Sequence, residues 1–270
     1  VRGKEKGIIK IWALFAVFCF LFIINMGITM DISPTQRMWL ILDICVLVIS
    51  IILIIKNGLP SKRYILISLF FSVLVFISYL GISIFSSSKG FLVTFLSSLA
   101  TLHIFEKYNN LEIKIINRKT TKAIVVSTGI GIFVGAILGT VNVLFMMSSN
   151  VPDFNITFSC FLVSLSPAIY EEMALRTFLF AFCVYLLHGN IDSKGKQFVC
   201  YFMMIIPHVM IHTPEQFIIN PINGIMNILL LTLLYGLPFA LLQRKRDLTS
   251  AMVAHGLVDV IRFSFFGLPF

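Results

Sequence analysis

Residues 121–147 read TKAIVVSTGIGIFVGAILGTVNVLFMM, and no charged side chain occurs from Ala123 to Pro152. A run of about 20 apolar residues matches the hydrocarbon thickness of a bilayer when coiled as a helix. The stretch shows no alternation of period two, so an α-helix and not a barrel strand is the spanning element. Eight comparable stretches flank it, near 8–29, 38–55, 63–85, 90–105, 156–187, 197–213, 221–242 and 249–268. The span at 90–105 is short, which leaves eight or nine crossings. The whole chain agrees: 270 residues, 58% hydrophobic, 12% charged, 27 Phe, with a mean hydropathy of +0.97. A soluble domain carries about twice that share of charge. Too few residues lie outside the spans for a soluble enzyme, a nucleic-acid-binding domain or a separate extramembrane domain. The expected fold is all-α, a polytopic transmembrane helix bundle forming a single membrane domain over residues 1–270.

The net charge of +9 is arranged by topology. Arg2, Lys4, Lys6 and Lys10 precede the first span. Lys56, Lys62 and Arg63 follow the second, and Lys107, Lys114, Arg118, Lys119 and Lys122 follow the fourth. Lys194 and Lys196 follow the sixth, and Arg244, Lys245 and Arg246 the eighth. These alternate gaps hold 17 of the 21 Lys and Arg, whereas the opposite gaps hold only Arg37 and Lys89. Cytoplasmic loops carry such an excess, which places the N-terminus in the cytoplasm. The first span is too long for a cleaved signal peptide, and no small-residue cleavage site follows it. No nucleic-acid partner is expected; the bilayer itself is the principal partner. Cys19, Cys45, Cys160, Cys183 and Cys200 all fall inside apolar segments without metal-ligand spacing and read as small buried hydrophobes.

Gly131, Gly135 and Gly139 recur every four residues, which lays bare backbone along one face for close helix contact. In the long sixth stretch, Ser166-Pro167 predicts a break, with Ser166 as cap and a new helix running to about Leu187. On that reading Glu171 lies in the outer half of the bilayer.

Ionisable residues inside spans are costly and mark function by default. Away from span ends the chain offers Asp43, Glu171, Glu172, Arg176, His208, His255, Asp259 and Arg262. Asp43 reads as a satisfied polar contact, and His103, His188 and His212, near span ends, as interfacial contacts. Glu172 and Arg176, four apart with the acid first, suit a structural ion pair on one helix face. Glu171 has no such local partner and reads as the reactive carboxylate. His255 and Asp259 are again four apart, so Asp259 is expected to orient the ring of His255.

Tyr170-Glu171-Glu172-Met173-Ala174-Leu175-Arg176 resembles the E-E-x-x-x-R motif of the CAAX-protease and bacteriocin-processing (CPBP) membrane proteins. Met204-Ile-Ile-Pro-His208 is similar to that family's F-x-x-x-H, with Met for Phe, and His255-Gly-Leu-Val-Asp259 to its H-x-x-x-N/D. The motifs lie within 121–270, which makes that part the catalytic core and 1–120 a set of N-terminal spans. The resemblance implies an intramembrane glutamic endopeptidase. Glu171 and His208 would activate a water, while His255 and Asp259 would stabilise the oxyanion. An ionised Asp259 has no hydrogen to donate, so His255 is the expected donor. No cofactor is implied. Glu171, His208, His255 and Asp259 also form an admissible zinc ligand set, although H-E-x-x-H is absent. The implied substrate is a peptide or protein tail at the membrane. Ile-, Lys- and Asn-rich coding points to a bacterial cell membrane. Two other classes remain open: a non-catalytic immunity or binding protein that keeps the site as scaffold, and a proton-coupled carrier.

Overall fold

The structure is a computed structural model that describes residues 2–117, 120–148 and 151–269, with the side chains of residues 2–5 excepted. Arg118 and Lys119, and the side chains of Arg2 and Lys4, therefore lie outside the description of the basic loops. Most of the described residues are helical, with no strand among them. Seven helical stretches are long and apolar enough to cross a membrane: Lys6–Gly27, Pro34–Asn57, Lys62–Tyr79, Ile84–Lys107, Thr121–Met146, Pro221–Lys245 and Leu248–Phe266. The chain is an integral, multi-pass membrane protein. Of the eight or nine crossings expected, the sixth and seventh are not among these seven. The sixth carries Glu171, Glu172 and Arg176 in its middle, and the helix in the seventh, Lys194–Met210, has only 17 residues.

Two compact units alternate along the chain. The first comprises residues to 65, 96–112 and 175–237. It contains α1 (Arg2–Gly27), α2 (Pro34–Asn57), the second half of α4 (Ile84–Lys107), α7 (Phe178–Leu186), α8 (Lys194–Met210), the short α9 (Pro214–Ile219) and α10 (Pro221–Leu231). Helix α1 packs on α2, α7, α8 and α9. Arg37 is buried at the α1–α2 turn, where its guanidinium donates to Asn25 Oδ1 (2.8 Å) and to the carbonyls of Asn25, Ile28 and Ile32. One of the two exceptions to the charge asymmetry is thus a loop clamp. On α9, Glu215 accepts from the backbone N–H of Thr35 (2.9 Å) and from its hydroxyl, adding an acceptor at the N-terminus of α2.

The second unit comprises residues 66–95, 113–174 and 238–270. It contains most of α3 (Lys62–Tyr79), the first half of α4, α5 (Thr121–Met146), α6 (Phe158–Ser166), α11 (Leu237–Lys245) and α12 (Leu248–Phe266). Helix α5 shows how lipid inverts the usual pattern. Its buried face is Ser127, Gly131, Gly135, Gly139 and Val143, while Val125, Phe133 and Leu144 point outward. Apolar residues gain nothing by leaving lipid, so small residues occupy the contact and let backbones approach. The partner is α12. A Cβ on Gly131 would lie 2.8 Å from the Ser250 carbonyl oxygen, one on Gly135 2.6 Å from that of Ala254, and one on Gly139 2.6 Å from Ile261 Cδ1.

Gly135→Leu is therefore expected to lower the melting temperature by roughly 5–10 °C, since overpacking costs about 1–3 kcal/mol. Gly129→Ala meets open space and should leave it unchanged or slightly higher. Thermal unfolding of the two variants in one detergent checks the contrast.

The ends of α12 are also fixed. Asp247 caps it through Ser250 N–H (2.9 Å) and accepts from Ser127 Oγ (2.5 Å) and Asn117 N–H (3.0 Å). Leu248 and Thr249 N–H donate to the carbonyls of Lys114 and Ile115, while at the far end Asp153 and Asn155 N–H donate to those of Phe265 and Ser264.

The expected break at Pro167 is a change of winding instead. Pro167 has α-region dihedrals (φ −57°, ψ −38°), and the helix continues from α6 through a π-helical segment, Pro167–Thr177, into α7. Proline cannot supply the usual i→i−4 donor, and i→i+5 winding is one way for a helix to absorb that loss. A second π segment, Thr232–Gly236, joins α10 to α11 just before Pro238. Glu171 thus lies mid-way along a continuous helical path and not in the second turn of a new helix.

Candidate active site

Five of the ionisable residues singled out from the sequence come together in the second unit: Glu171 and Glu172 on the π segment, and His255, Asp259 and Arg262 on α12. Helix α12 is gripped along one side by the glycines of α5, and Gly256 faces Ala168 at the start of the π segment (3.1 Å to a built Cβ). That packing brings His255, one residue before Gly256, beside the two carboxylates.

The adjacent glutamates differ sharply. Glu172 is fully buried, whereas the side chain of Glu171 keeps 15% of its exposure. Glu172 Oε1 lies 2.6 Å from His255 Nδ1, and Oε2 accepts from Gln243 Nε2 at 2.5 Å. A carboxylate only accepts, so the His255 proton sits on Nδ1 in this contact. Nε2 then faces the other way, 3.7 Å from Glu171 Oε2 and 3.6 Å from Asp259 Oδ2. Both distances are too long for hydrogen bonds and leave Nε2 free for a third group. Arg262 Nε lies 3.3 Å from Asp259 Oδ1, and the ring of Phe239 on α11 stacks on that of His255 at 4.6 Å and 19°.

The sequence gives Asp259 the task of holding the His255 ring, but the hydrogen-bonded nitrogen faces Glu172, with Asp259 on the side of Nε2. Glu172 and Arg176 both lie in the π-wound segment, Pro167–Thr177. Arg176 belongs to the first unit. There it donates to the Gly236 carbonyl (3.2 Å) and to His208 Nδ1 (3.2 Å). A guanidinium has no acceptor, so His208 accepts at Nδ1 and carries its proton on Nε2. Trp39 packs edge-on against His208 and against His212, at 6.0 and 5.1 Å between centroids. Gln243, Phe239 and Trp39 lie outside the three motifs and were not legible as site residues. Asp43, by contrast, is buried on α2 as a polar contact would be.

All three motifs fall within residues 153–261, which match the family model described as Rce1-like, type II CAAX prenyl endopeptidase. Over that stretch the chain is similar to that family. No curated protein matches the chain, and no solved structure does.

Proposed function

We propose that the chain is an intramembrane endopeptidase of the CAAX-protease type that hydrolyses a peptide bond of a membrane-borne peptide or protein tail, in a bacterial cell membrane. The observation that carries this reading is the contrast between the two glutamates: Glu172 sealed against His255 Nδ1 and Gln243, Glu171 partly exposed on the Nε2 side of the same ring.

Glu171 is the base. It takes a proton from water as the water oxygen attacks the peptide carbonyl, and later returns it to the leaving amine as the C–N bond breaks. The resemblance of Met204–His208 to the family's F-x-x-x-H motif is what gives His208 a part in activating the water; with Nδ1 occupied by Arg176, its ring offers an N–H for that part. His255 stabilises the oxyanion through Nε2. The form that donates through both nitrogens is the imidazolium, which the carboxylates of Glu171, Glu172 and Asp259 surround. Asp259, tied to Arg262, acts on this charge and not on the oxyanion.

The test is cleavage by purified protein in liposomes, followed by mass spectrometry, of a panel of isoprenylated and unmodified C-terminal peptides. Scission at one defined bond, unaffected by EDTA or 1,10-phenanthroline, is the expected result. Activity lost to chelators and restored by zinc would move the chemistry to a metal. Saturable binding without scission would make the protein a non-catalytic immunity or binding protein.

A further inference from the structure

We propose that Gln243 is a positioning residue: it clamps Glu172 so that Glu172 fixes the His255 ring with Nε2 toward Glu171. Its catalytic consequence rests on the endopeptidase reading above; its geometry does not.

The side chain of Gln243 is buried, and its amide nitrogen has two hydrogens. Both go to residue 172: one to the carboxylate Oε2 at 2.5 Å, the other to the backbone carbonyl at 3.2 Å. Both partners only accept, so the nitrogen and not the amide oxygen must face them. One side chain thus straddles the main chain and side chain of Glu172 and sets its rotamer. The remaining carboxylate oxygen, Oε1, points at His255 Nδ1 (2.6 Å). Without the clamp, a fully buried carboxylate loses the 2.5 Å donor to its Oε2, and the ring proton loses a fixed acceptor. Glu at 243 would set two carboxylates against each other, and Asn is shorter by one methylene. Phe239 lies one turn earlier on the same face of α11 and stacks on the same ring. Helix α11 therefore supplies both the platform for the imidazole and the clamp for its carboxylate.

The experiment is NMR of ring-15N-histidine-labelled protein in nanodiscs, with His255 assigned by its absence in His255→Asn, alongside kinetics on the cleaved peptide. In wild type the His255 Nδ1 proton should be strongly downfield and slow to exchange. In Gln243→Met it should broaden, move upfield or divide between tautomers. For the same variant kcat should fall about 10- to 100-fold, as when an outer partner of a site ligand is lost, while KM changes less than about twofold. Gln243→Asn should show the same direction of change. A merely structural role predicts a lower melting temperature, with the His255 spectrum and kcat per folded molecule unchanged, and that result would overturn the proposal. If neither variant folds, wild type labelled with 15N at the glutamine side chains still decides: a Gln243 side-chain amide exchanging as fast as exposed glutamines contradicts the clamp, and a protected one supports it. Should wild type cleave no peptide, the endopeptidase reading fails while the NMR arm still judges Gln243.

Discussion

Glu171→Gln is expected to cut peptide cleavage by roughly 10²- to 10⁴-fold, the usual contribution of a general base, while the protein stays folded. The amide has the size of the carboxylate but cannot take the proton of water. Because Glu171 is partly open and its nearest His255 atom is 3.7 Å away, the substitution removes no short buried contact to that ring. Glu171 keeps 15% of its side-chain exposure whereas Glu172 keeps none, so the melting temperature should fall less than in the alanine variant of Glu172. Rate measurements at saturating peptide, paired with thermal unfolding, read both quantities. Residual cleavage within a few-fold of wild type would remove Glu171 from the reaction.

Glu172→Ala should behave in the opposite way, with the larger loss in stability. It leaves the buried Nδ1–H of His255 without its acceptor and Gln243 Nε2 without its carboxylate oxygen. Removing one partner of a buried charged network costs about 3–5 kcal/mol, which lowers the melting temperature by on the order of 10 °C in a chain of this size. Activity should vanish along with the ring orientation. Glu172→Gln retains one acceptor oxygen and should lose less stability than the alanine variant. Equal stability of Glu172→Ala and wild type would show that this carboxylate is not the keystone described here. The two neighbours in one helical segment thus separate chemistry from architecture: position 171 is expected to lose rate with the smaller loss of stability, and position 172 to lose both.

The spans were legible because a bilayer demands one thing of a crossing, a sufficient apolar length, and composition records it directly. The glycine ridge of α5 was legible for a related reason: only Gly lets the Ser250 and Ala254 backbone come so close. Glu171, Glu172, His255 and Asp259 stood out because burying ionisable groups in hydrocarbon is costly. Neutral or already satisfied groups gave no such signal. Gln243 precedes Arg244-Lys245-Arg246 and reads as the polar end of a span, and Phe239 is one of 27 Phe. The π winding was hidden as well. Pro167 marked an irregularity, but capping and continued i→i+5 winding start from the same proline. That choice changed the position of Glu171 along its helix. Arg37 illustrates the converse error: a basic residue counted by its charge proved to be a clamp for four backbone and side-chain acceptors at one turn.

Hydrolysis by water activated at Glu171 is tested most directly by comparing new protein termini in membranes holding equal amounts of folded wild type or Glu171→Gln, incubated in H₂¹⁸O. Wild-type membranes should yield at least one new C-terminal carboxylate carrying ¹⁸O that is absent from the variant. Identical sets of labelled termini in the two membranes would contradict the account.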